Sequence, residues 1–451
     1  MLCRALLGRW LTVSFVVTLL FVAARSAQAN GRYPLANQLV ARPGDSTHLV
    51  ARTTFGLLRS DDDGASWTWV CEDALGMLDV AEDPSLALTG DGSTVIAYSQ
   101  GISVSHDGCS WTPAVGIPAG RFAVDVTVSP TRPHDVLAIE LSIDSGDAGA
   151  AAYTLHLVAS SDDGSTWTDV GDALPDFLGA TVEVAASTAD RIYVSGKVLA
   201  TNQPTLARSD DAGRTFTLVA IPGVASDADA FIGGVDPVDP DVVYLRISPT
   251  AAAPGRAIVS RDGGATFADL VTIPGDVSGF ALSADGTTLA VGGVDSGLFV
   301  GGTAAADGSS AAAFAMVGTV KPSCLTFVGA RLYACAKEAA DMFSIAASDD
   351  DGGHFTPLLH LADVTPAECP AASSAAICSS SWPPIAATIG ADAGSPSPSD
   401  AGVTAPKASS GCGCDLGSVR DLRPSAVGLV AALPFFRRRR RAKPAQGAVQ
   451  R

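Results

Sequence analysis

The sequence predicts an all-β fold built from repeated four-stranded sheets, and three observations support this prediction. A short pattern of serine, aspartate, glycine and an aromatic residue recurs along the chain. Its copies are separated by about 50 residues, a length typical of one four-stranded repeat. Between them lie short runs of Val, Ile, Leu and Tyr bounded by Gly, Pro and Asp, a composition typical of strands and tight turns.

The recurring pattern is Ser-x-Asp-x-Gly-x-Ser/Thr-aromatic, and each position suits a tight turn. Glycine adopts a positive φ without steric cost, serine and aspartate bond to turn amides, and the aromatic ring packs inward from the next strand. We therefore predict a structural role for these residues. The copies contain Ser60, Asp62, Gly64 and Trp67; Ser160, Asp162, Gly164 and Trp167; Ser209, Asp211, Gly213 and Phe216; Ser260, Asp262, Gly264 and Phe267; Ser348, Asp350, Gly352 and Phe355; and, in compressed form, Asp107, Gly108 and Trp111.

The spacing of the turn glycines predicts the number of repeats. The interval from Gly264 to Gly352 is close to two periods, and Asp307 to Ser310 followed by Phe314 resembles an eroded copy at its midpoint. Repeats of this length predict four-stranded antiparallel blades around an axis. The prediction is a seven-bladed β-propeller over residues 30–390, with a six-bladed ring as the alternative.

Two segments are candidates for closing the ring. They are the strand around Gln38 to Arg42 and the piece that runs from His360 through Trp382. A closed ring leaves only short, protected sheet edges, which suits a chain with few aromatic residues.

The repeat resembles the Asp box, also called the BNR repeat, of sialidase-like propellers and of sortilin-type receptor propellers. This resemblance covers nearly the whole body of the chain. In the sialidase group these turns lie on the outer rim and are structural. The resemblance therefore implies the propeller fold, and it does not by itself imply catalysis.

Residues 1–29 predict a secretory signal peptide. Arg4 and Arg9 form the basic start, an apolar stretch follows, and Ala27-Gln28-Ala29 is a small-residue cleavage site. Export places the body in an oxidising or extracytoplasmic space. We expect the protein at the cell surface or the outer membrane, with release to the medium as a further possibility.

The C-terminal part predicts a linker and an anchor. Residues 391–411 are mostly Ala, Ser, Pro, Gly and Asp, which predicts disorder. Residues 412–451 resemble the myxobacterial C-terminal sorting tail (MYXO-CTERM), which implies processing and anchoring at Cys412 or Cys414 by sorting machinery. The apolar segment before the arginines at 437–441 has about thirteen residues against the roughly 20 that a spanning helix needs, so we predict transient retention followed by cleavage.

Charge limits the partners of the body. The chain carries a net charge of −18 although both ends are basic, so the body is strongly acidic. Nucleic acid binding needs Lys and Arg to replace counterions, which argues against a nucleic acid partner. We expect a monomer that contacts the membrane only through its tail and whose ligand is a protein or a glycan.

Six cysteines remain in the body once the two ends are set aside. Proximity predicts three disulfides, Cys71–Cys109, Cys324–Cys335 and Cys369–Cys378. Zinc is the competing interpretation, but the sequence lacks CxxC spacing and neighbouring histidines. The Asp-rich turns also lack the ligand spacing of a calcium loop, so we predict no metal and no cofactor.

A sialidase-like enzyme would need arginines for a substrate carboxylate, a tyrosine with a glutamate partner, and an acidic aspartate at the central mouth. Arg32, in Arg32-Tyr33-Pro34, is similar to the Arg-Ile-Pro element of that family, although its place after the cleavage site favours a disordered terminus. The other catalytic candidates, each of which also fits an ordinary strand position, are Glu140, Glu183, Tyr244 and Arg246.

These observations predict an exported, surface-anchored propeller that acts as a non-catalytic binding module for a protein or glycan. The first alternative is a sialidase-like exo-glycosidase, which arginine and carboxylate side chains converging at the ring axis would favour. A second alternative is a propeller that resembles the assembly factors of photosynthetic complexes.

Overall fold

The computed structural model describes residues 32–77, 82–145, 151–249, 253–303 and 314–392. The predicted signal peptide, the linker after Asp392, the tail with Cys412 and Cys414, and the predicted eroded turn at 307–310 lie outside the described residues. The described residues form seven four-stranded antiparallel sheets, one of which gains a fifth strand. This confirms the seven-bladed β-propeller.

Strands follow chain order within each blade, from the axis to the rim. Blades 1 to 4 are built by β1 (Ala36–Arg42), β2 (Asp45–Thr53), β3 (Gly56–Ser60) and β4 (Thr68–Val70); β5 (Ser85–Leu88), β6 (Thr94–Tyr98), β7 (Gly101–Ser105) and β8 (Thr112–Pro113); β9 (Arg121–Ser129), β10 (Arg132–Ser145), β11 (Ala151–Ser160) and β12 (Thr168–Pro175); and β13 (Phe177–Val184), β14 (Ile192–Val198), β15 (Gln203–Ser209) and β16 (Thr217–Ala220).

The remaining blades repeat this arrangement. They contain β17 (Asp229–Val235), β18 (Val243–Ser248), β19 (Gly255–Ser260) and β20 (Ala268–Ile273); β21 (Gly279–Leu282), β22 (Thr288–Gly293), β23 (Gly297–Gly302) and β24 (Ala315–Gly318); and β25 (Pro322–Val328), β26 (Arg331–Ala336), β27 (Ile345–Ser348) and β28 (Thr356–Leu359). The core lies between blades, where apolar side chains of neighbouring sheets pack in successive clusters.

Ring closure uses both of the predicted segments. The first strands of neighbouring blades contact one another all the way round, including β1 of blade 1 and β25 of blade 7. At this last junction the Ser323 hydroxyl donates to the Ala36 carbonyl oxygen at 2.6 Å. At the rim, β29 (Thr365–Pro366) adds to β4 as a parallel strand. Blade 1 is therefore held by blade 7 at the axis and by the C-terminal segment at the rim.

Residues 361–392, here called the C-terminal strap, cross the outer edges of blades 1 and 2. Two disulfides fix the strap, Cys71–Cys378 in blade 1 and Cys109–Cys369 in blade 2. The Trp382 ring packs against that of Trp69, with centroids 5.4 Å apart. The strap thereby joins the start of the propeller to its end.

These bridges correct two of the three predicted disulfides. Cys71 does not pair with Cys109, and Cys369 does not pair with Cys378, because the strap lies across blades 1 and 2 and brings Cys378 to Cys71 and Cys369 to Cys109. The predicted Cys324–Cys335 bridge is confirmed, since these residues lie opposite each other on β25 and β26. Three disulfides indicate an oxidising environment.

The strap also contains a helix where the sequence pattern predicted none. Two α-helices occur among the described residues, α1 (Glu338–Asp341) and α2 (Cys378–Ile389). α2 contains Pro383 and Pro384 in its interior, and the Cys378 disulfide and the buried Trp382 hold it against blade 1. Neither helix is long and apolar enough to cross a membrane.

The repeated turns connect the third and fourth strands of their blades. In the first turn the Asp62 carboxylate accepts bonds from the Ser66 backbone N–H and hydroxyl at 2.8 and 2.6 Å. The Ser60 hydroxyl accepts the Gly64 N–H at 2.9 Å, and Gly64 has a φ of +84°. Ser160, Ser209, Ser260 and Ser348 accept the equivalent glycine N–H in their own turns.

Candidate functional site: the axial cavity

A cavity of about 490 Å³ lies on the propeller axis. The first strands of blades 1 to 5 supply most of its lining, and two charged residues from second strands, Arg52 on β2 and Arg246 on β18, complete it. Because strands alternate direction within a blade, second strands end on the face where first strands begin. Arg52 is therefore near the face opposite the repeated turns, which we call the mouth.

Asp125 sits at the junction of three blades. Its carboxylate accepts the Ser85 hydroxyl at 2.5 Å and the Val182 N–H at 2.8 Å. Burial raises the pKa of Asp125 to about 6, although the bonds from Ser85 and Val182 and the charge of Arg52 oppose this shift. The carboxylate therefore ties neighbouring first strands together and still carries a charge at neutral pH.

Glu183, a predicted candidate, lines the same cavity on β13. Its carboxylate accepts the Thr127 hydroxyl of blade 3 at 3.2 Å. Burial and the neighbouring charge of Asp125 raise the pKa of Glu183 to about 8. At neutral pH the side chain is therefore mostly a neutral carboxylic acid that is able to donate a hydrogen bond.

Arg52 is bound within the protein by several of its donors. Its Nε donates to Asn37 Oδ1 at 2.7 Å, and its Nη1 donates to the carbonyl oxygens of Asp83 and Pro84 at 3.2 and 2.9 Å. Burial lowers its pKa to about 10. Arg52 therefore anchors the entry of blade 2 to blade 1, and it adds positive charge to the mouth.

Arg246, the second predicted candidate in this cavity, has more hydrogen-bond donors available to a ligand than Arg52 has. Its guanidinium stacks over the Phe231 ring at 4.5 Å from the centroid. Its Nη1 donates to the Val277 carbonyl oxygen at 3.0 Å, the one hydrogen bond that it makes among the described residues. Burial lowers its pKa, but the group keeps its charge at neutral pH.

Arg32 lies close to this mouth. It pairs with Asp83 at 2.7 Å, and Asp83 is itself part of the cavity lining. The following residue is also fixed, because the Thr54 hydroxyl donates to the Tyr33 carbonyl oxygen at 2.8 Å. The expectation of a disordered terminus at Arg32 is therefore wrong, since the segment binds to blades 1 and 2.

Glu140 and Tyr244 lie away from the axial cavity. Glu140 on β10 is fully buried, with its nearest cationic partner, Arg121 Nη1, at 3.6 Å. Tyr244 on β18 is fully buried in the apolar cluster between blades 5 and 6. The structure therefore does not bring these two candidates together with Arg32, Glu183 and Arg246.

Two residues of the cavity were missed, Arg52 and Asp125. Each is a charged residue flanked by apolar or small residues in a strand, as in Val124-Asp125-Val126. Glu183 and Arg246 share this signal. Because both faces of a blade are buried against the adjacent blades, a charged side chain within such a strand has to reach the axis or pair with another polar group. Applied to every strand, this rule would have found all four.

The arrangement brings two arginines and three carboxyl groups to one cavity, and two of these carboxyl groups, Asp125 and Glu183, have raised and unequal pKa values. A neutral carboxylic acid donates to a hydroxyl or carbonyl oxygen, a carboxylate accepts, and a free guanidinium binds an anion. The site is therefore suited to polar ligands with both donors and acceptors.

Comparisons with known proteins extend only to the fold. No family model matches the sequence, and no curated protein matches it. An ancestral GH74 enzyme is 13% identical with a TM-score of 0.53, and the match covers 72% of this chain and 46% of that enzyme. This chain therefore spans less than half of that enzyme.

Two other solved structures are similar at lower TM-scores. The propeller domain of Swd1 from Myceliophteria thermophila is 12% identical with a TM-score of 0.43, covering 67% of this chain and 94% of that one. The Hadza microbial sialidase is 16% identical with a TM-score of 0.37, covering 64% and 71%.

Proposed function

We propose that the chain is an exported, surface-anchored propeller that binds a protein or glycan ligand at the mouth of its axial cavity without transforming it. The observation that supports this most is how the charged groups are held. Asp125 and Arg52 bond to the backbone of neighbouring blades, so their positions are set before a ligand arrives. Preorganised polar groups favour binding because little ordering is needed.

Export and anchoring rest on the sequence of the two ends, and the three disulfides of the body agree with an oxidising location. In this proposal the sorting tail attaches the mature protein to the cell surface through Cys412 or Cys414. Mass spectrometry of protein from washed cells tests the proposal. It predicts an N-terminus at Asn30 and a C-terminus near these cysteines.

A ligand screen tests the binding function. Glycan and peptide arrays probed with the labelled protein should yield a ligand that Arg246→Gln weakens at least tenfold, since a charged hydrogen bond contributes about 1.5–3 kcal/mol. Arg256→Gln is the matched control, because Arg256 lies on the third strand of the same blade, where it pairs with Asp269. Equal loss in both variants, or in neither, would contradict binding at the mouth.

A second candidate function is glycoside hydrolysis. Asp125 and Glu183 line one cavity with pKa values of about 6 and 8, and two carboxyl groups of unequal pKa serve as base and acid in many glycosidases. Fluorogenic glycosides decide between the two functions. Release of fluorophore that Glu183→Gln abolishes would establish the enzyme, and binding without release would support the binding module.

A further inference from the structure

The charges of the axial cavity cancel one another at neutral pH. Among the described residues, three arginines and three aspartates line the cavity or act on its charged lining, namely Arg32, Arg52, Arg246, Asp83, Asp125 and Asp276. Glu183 also lines the cavity, but its pKa of about 8 keeps it mostly uncharged at pH 7. The site therefore offers an ionic ligand no surplus charge of opposite sign.

The charge of Arg246 is compensated within the protein. Burial lowers its pKa, and the nearby charges of Asp276 and Asp125 oppose this shift. Asp276 is itself held in place, because its carboxylate accepts the Ser248 hydroxyl at 2.8 Å. An anion that approached Arg246 would therefore also approach carboxylates. The guanidinium N–H groups are still able to donate to uncharged oxygen atoms.

Polar side chains line the cavity along the first strands. Gln38 lies near the start of β1, at the mouth, and Glu183 is the last residue but one of β13. The polar lining comes from five consecutive blades and includes Gln38, Ser85, Thr127, Glu183 and Arg246. Hydrogen-bonding groups therefore face a ligand from several sides and at several depths.

This arrangement leads to an inference that rests on the proposed binding function and specifies its ligand. We propose that the cavity binds an uncharged sugar residue at the end of a neutral glycan. A sugar ring carries hydroxyl groups around its perimeter, and each hydroxyl both donates and accepts a hydrogen bond. Such a ligand suits polar side chains that come from five blades, and it needs no compensating charge. The cavity volume of about 490 Å³ lies in the range of small-molecule sites.

An acidic sugar fits this site less well. Its carboxylate would bind near Arg246, where Asp125 and Asp276 already supply negative charge. Repulsion by these carboxylates would offset the attraction of the guanidinium, and the acidic sugar would still lose part of its water on entry.

A peptide also fits less well, because a peptide that adds to a sheet needs a free strand edge. The inner edges of the first strands are partly occupied by neighbouring side chains. The Gln38 amide bonds both the N–H and the carbonyl oxygen of Leu86, at 3.1 and 3.3 Å. Asp125 accepts the Val182 N–H in the same way at 2.8 Å.

The experiment is a glycan array, probed with the labelled mature protein at pH 7, that carries each neutral structure beside its sialylated, sulfated and uronate-containing counterparts. The glycans that bind should be neutral, and each counterpart that is acidic in its terminal sugar should bind at least about tenfold more weakly. Calorimetry of the strongest neutral ligand should give an affinity that changes less than about twofold between low and high salt, because the ligand carries no charge to screen.

Asp276→Asn tests the charge balance. It removes one negative charge beside Arg246, and asparagine keeps an oxygen that accepts the Ser248 hydroxyl. The ratio of acidic to neutral glycan affinity should therefore rise at least about threefold. Asp172→Asn is the matched control and should leave the ratio unchanged, since Asp172 is exposed on β12 at the rim.

An array ligand that depends on Arg246 but is an acidic glycan or a peptide overturns the neutral-glycan inference and leaves the binding function intact. Equal binding of neutral and acidic counterparts, or an equal change of the ratio in Asp276→Asn and Asp172→Asn, overturns the inference as well. If no array ligand responds to Arg246→Gln, both the inference and the proposed binding function are overturned.

Discussion

Ser323 in the last blade donates its hydroxyl to the carbonyl oxygen of Ala36 in the first blade, at 2.6 Å and across 287 residues of sequence. Both residues are buried. The same kind of bond occurs one junction earlier, where the Ser278 hydroxyl donates to the Pro322 carbonyl oxygen at 2.8 Å. The closing junction therefore uses the same contact as a junction between consecutive blades.

Ser323→Ala should lower the free energy of unfolding by about 1–3 kcal/mol, because it leaves the buried Ala36 carbonyl without its partner. Urea denaturation followed by tryptophan fluorescence measures this. Ser278→Ala is the matched control and should cost less, since Ser278 is only partly buried. A loss at Ser278 that exceeds the loss at Ser323 would contradict the expectation that burial of the bond sets the size of the loss.

The long-range disulfides should contribute more to stability than the short one. Replacing Cys71 and Cys378 by serine should lower the free energy of unfolding by about 5–6 kcal/mol, since this bridge closes a loop of 307 residues. The Cys324–Cys335 bridge closes a loop of 11 residues, and its removal should lower the free energy of unfolding by about 3 kcal/mol. Thermal unfolding compares the two variants.

Peptide mapping without reduction tests the same pairing directly. Fragments that join Cys71 to Cys378 and Cys109 to Cys369 are expected. Recovery of Cys71 linked to Cys109 from folded protein would refute the arrangement described here.

Asp62→Ala should lower the free energy of unfolding by about 1–2 kcal/mol, because the Ser66 N–H and hydroxyl lose their acceptor. The bonds from Ser66 and Ser60 lower the pKa of Asp62, so its stabilising contribution is present above its ordinary pKa of 3.8 and is lost as pH falls below that value. The free energies of unfolding of the wild type and the variant should therefore become equal at acid pH. Asp227→Ala, an exposed position outside the repeated turns, is the control.

Glu140→Gln should stabilise the protein at high pH. Burial raises the pKa of Glu140 to about 7, so the native state holds this proton more tightly than the unfolded chain does. Stability is then highest below the ordinary value of 4.5 and declines as pH rises through 7.

Replacing the Glu140 carboxyl should abolish this decline in stability. The free energy of unfolding of the variant should exceed that of the wild type by about 1–3 kcal/mol at pH 8.5 and by less at pH 4. Chemical denaturation at both pH values is the measurement, and Glu368→Gln at the exposed surface is the control. A gain of equal size at both pH values would point to packing rather than titration.

The repeat made the fold predictable. Glycines such as Gly64 and Gly352, with φ values of +84° and +89°, have to recur wherever the third and fourth strands turn, so sequence spacing reports the number of blades. Ring closure and disulfide pairing were harder to predict. They depend on which blades become neighbours across the ring, and proximity in sequence favoured Cys71–Cys109 over the observed Cys71–Cys378.

The site was predictable only in part. Arg32, Glu183 and Arg246 were identified as single residues. The structure places Glu183 and Arg246 in the lining of one cavity and pairs Arg32 with Asp83 of the same lining. Their meeting depends on the register of first strands in different blades, which no local pattern encodes. Glu140 and Tyr244 were equally plausible from sequence, but each is fully buried and neither lines the axial cavity.

The two long-range bridges also bear on how the protein matures. In the proposed export from the N-terminus, Cys71 and Cys109 would reach the oxidising compartment hundreds of residues before Cys369 and Cys378. An oxidant acting on the emerging chain would then meet these two thiols before their native partners and would be able to join them to each other. Correct pairing would then require thiol exchange after translocation is complete. Co-expression of a disulfide isomerase should therefore raise the yield of correctly paired recombinant protein.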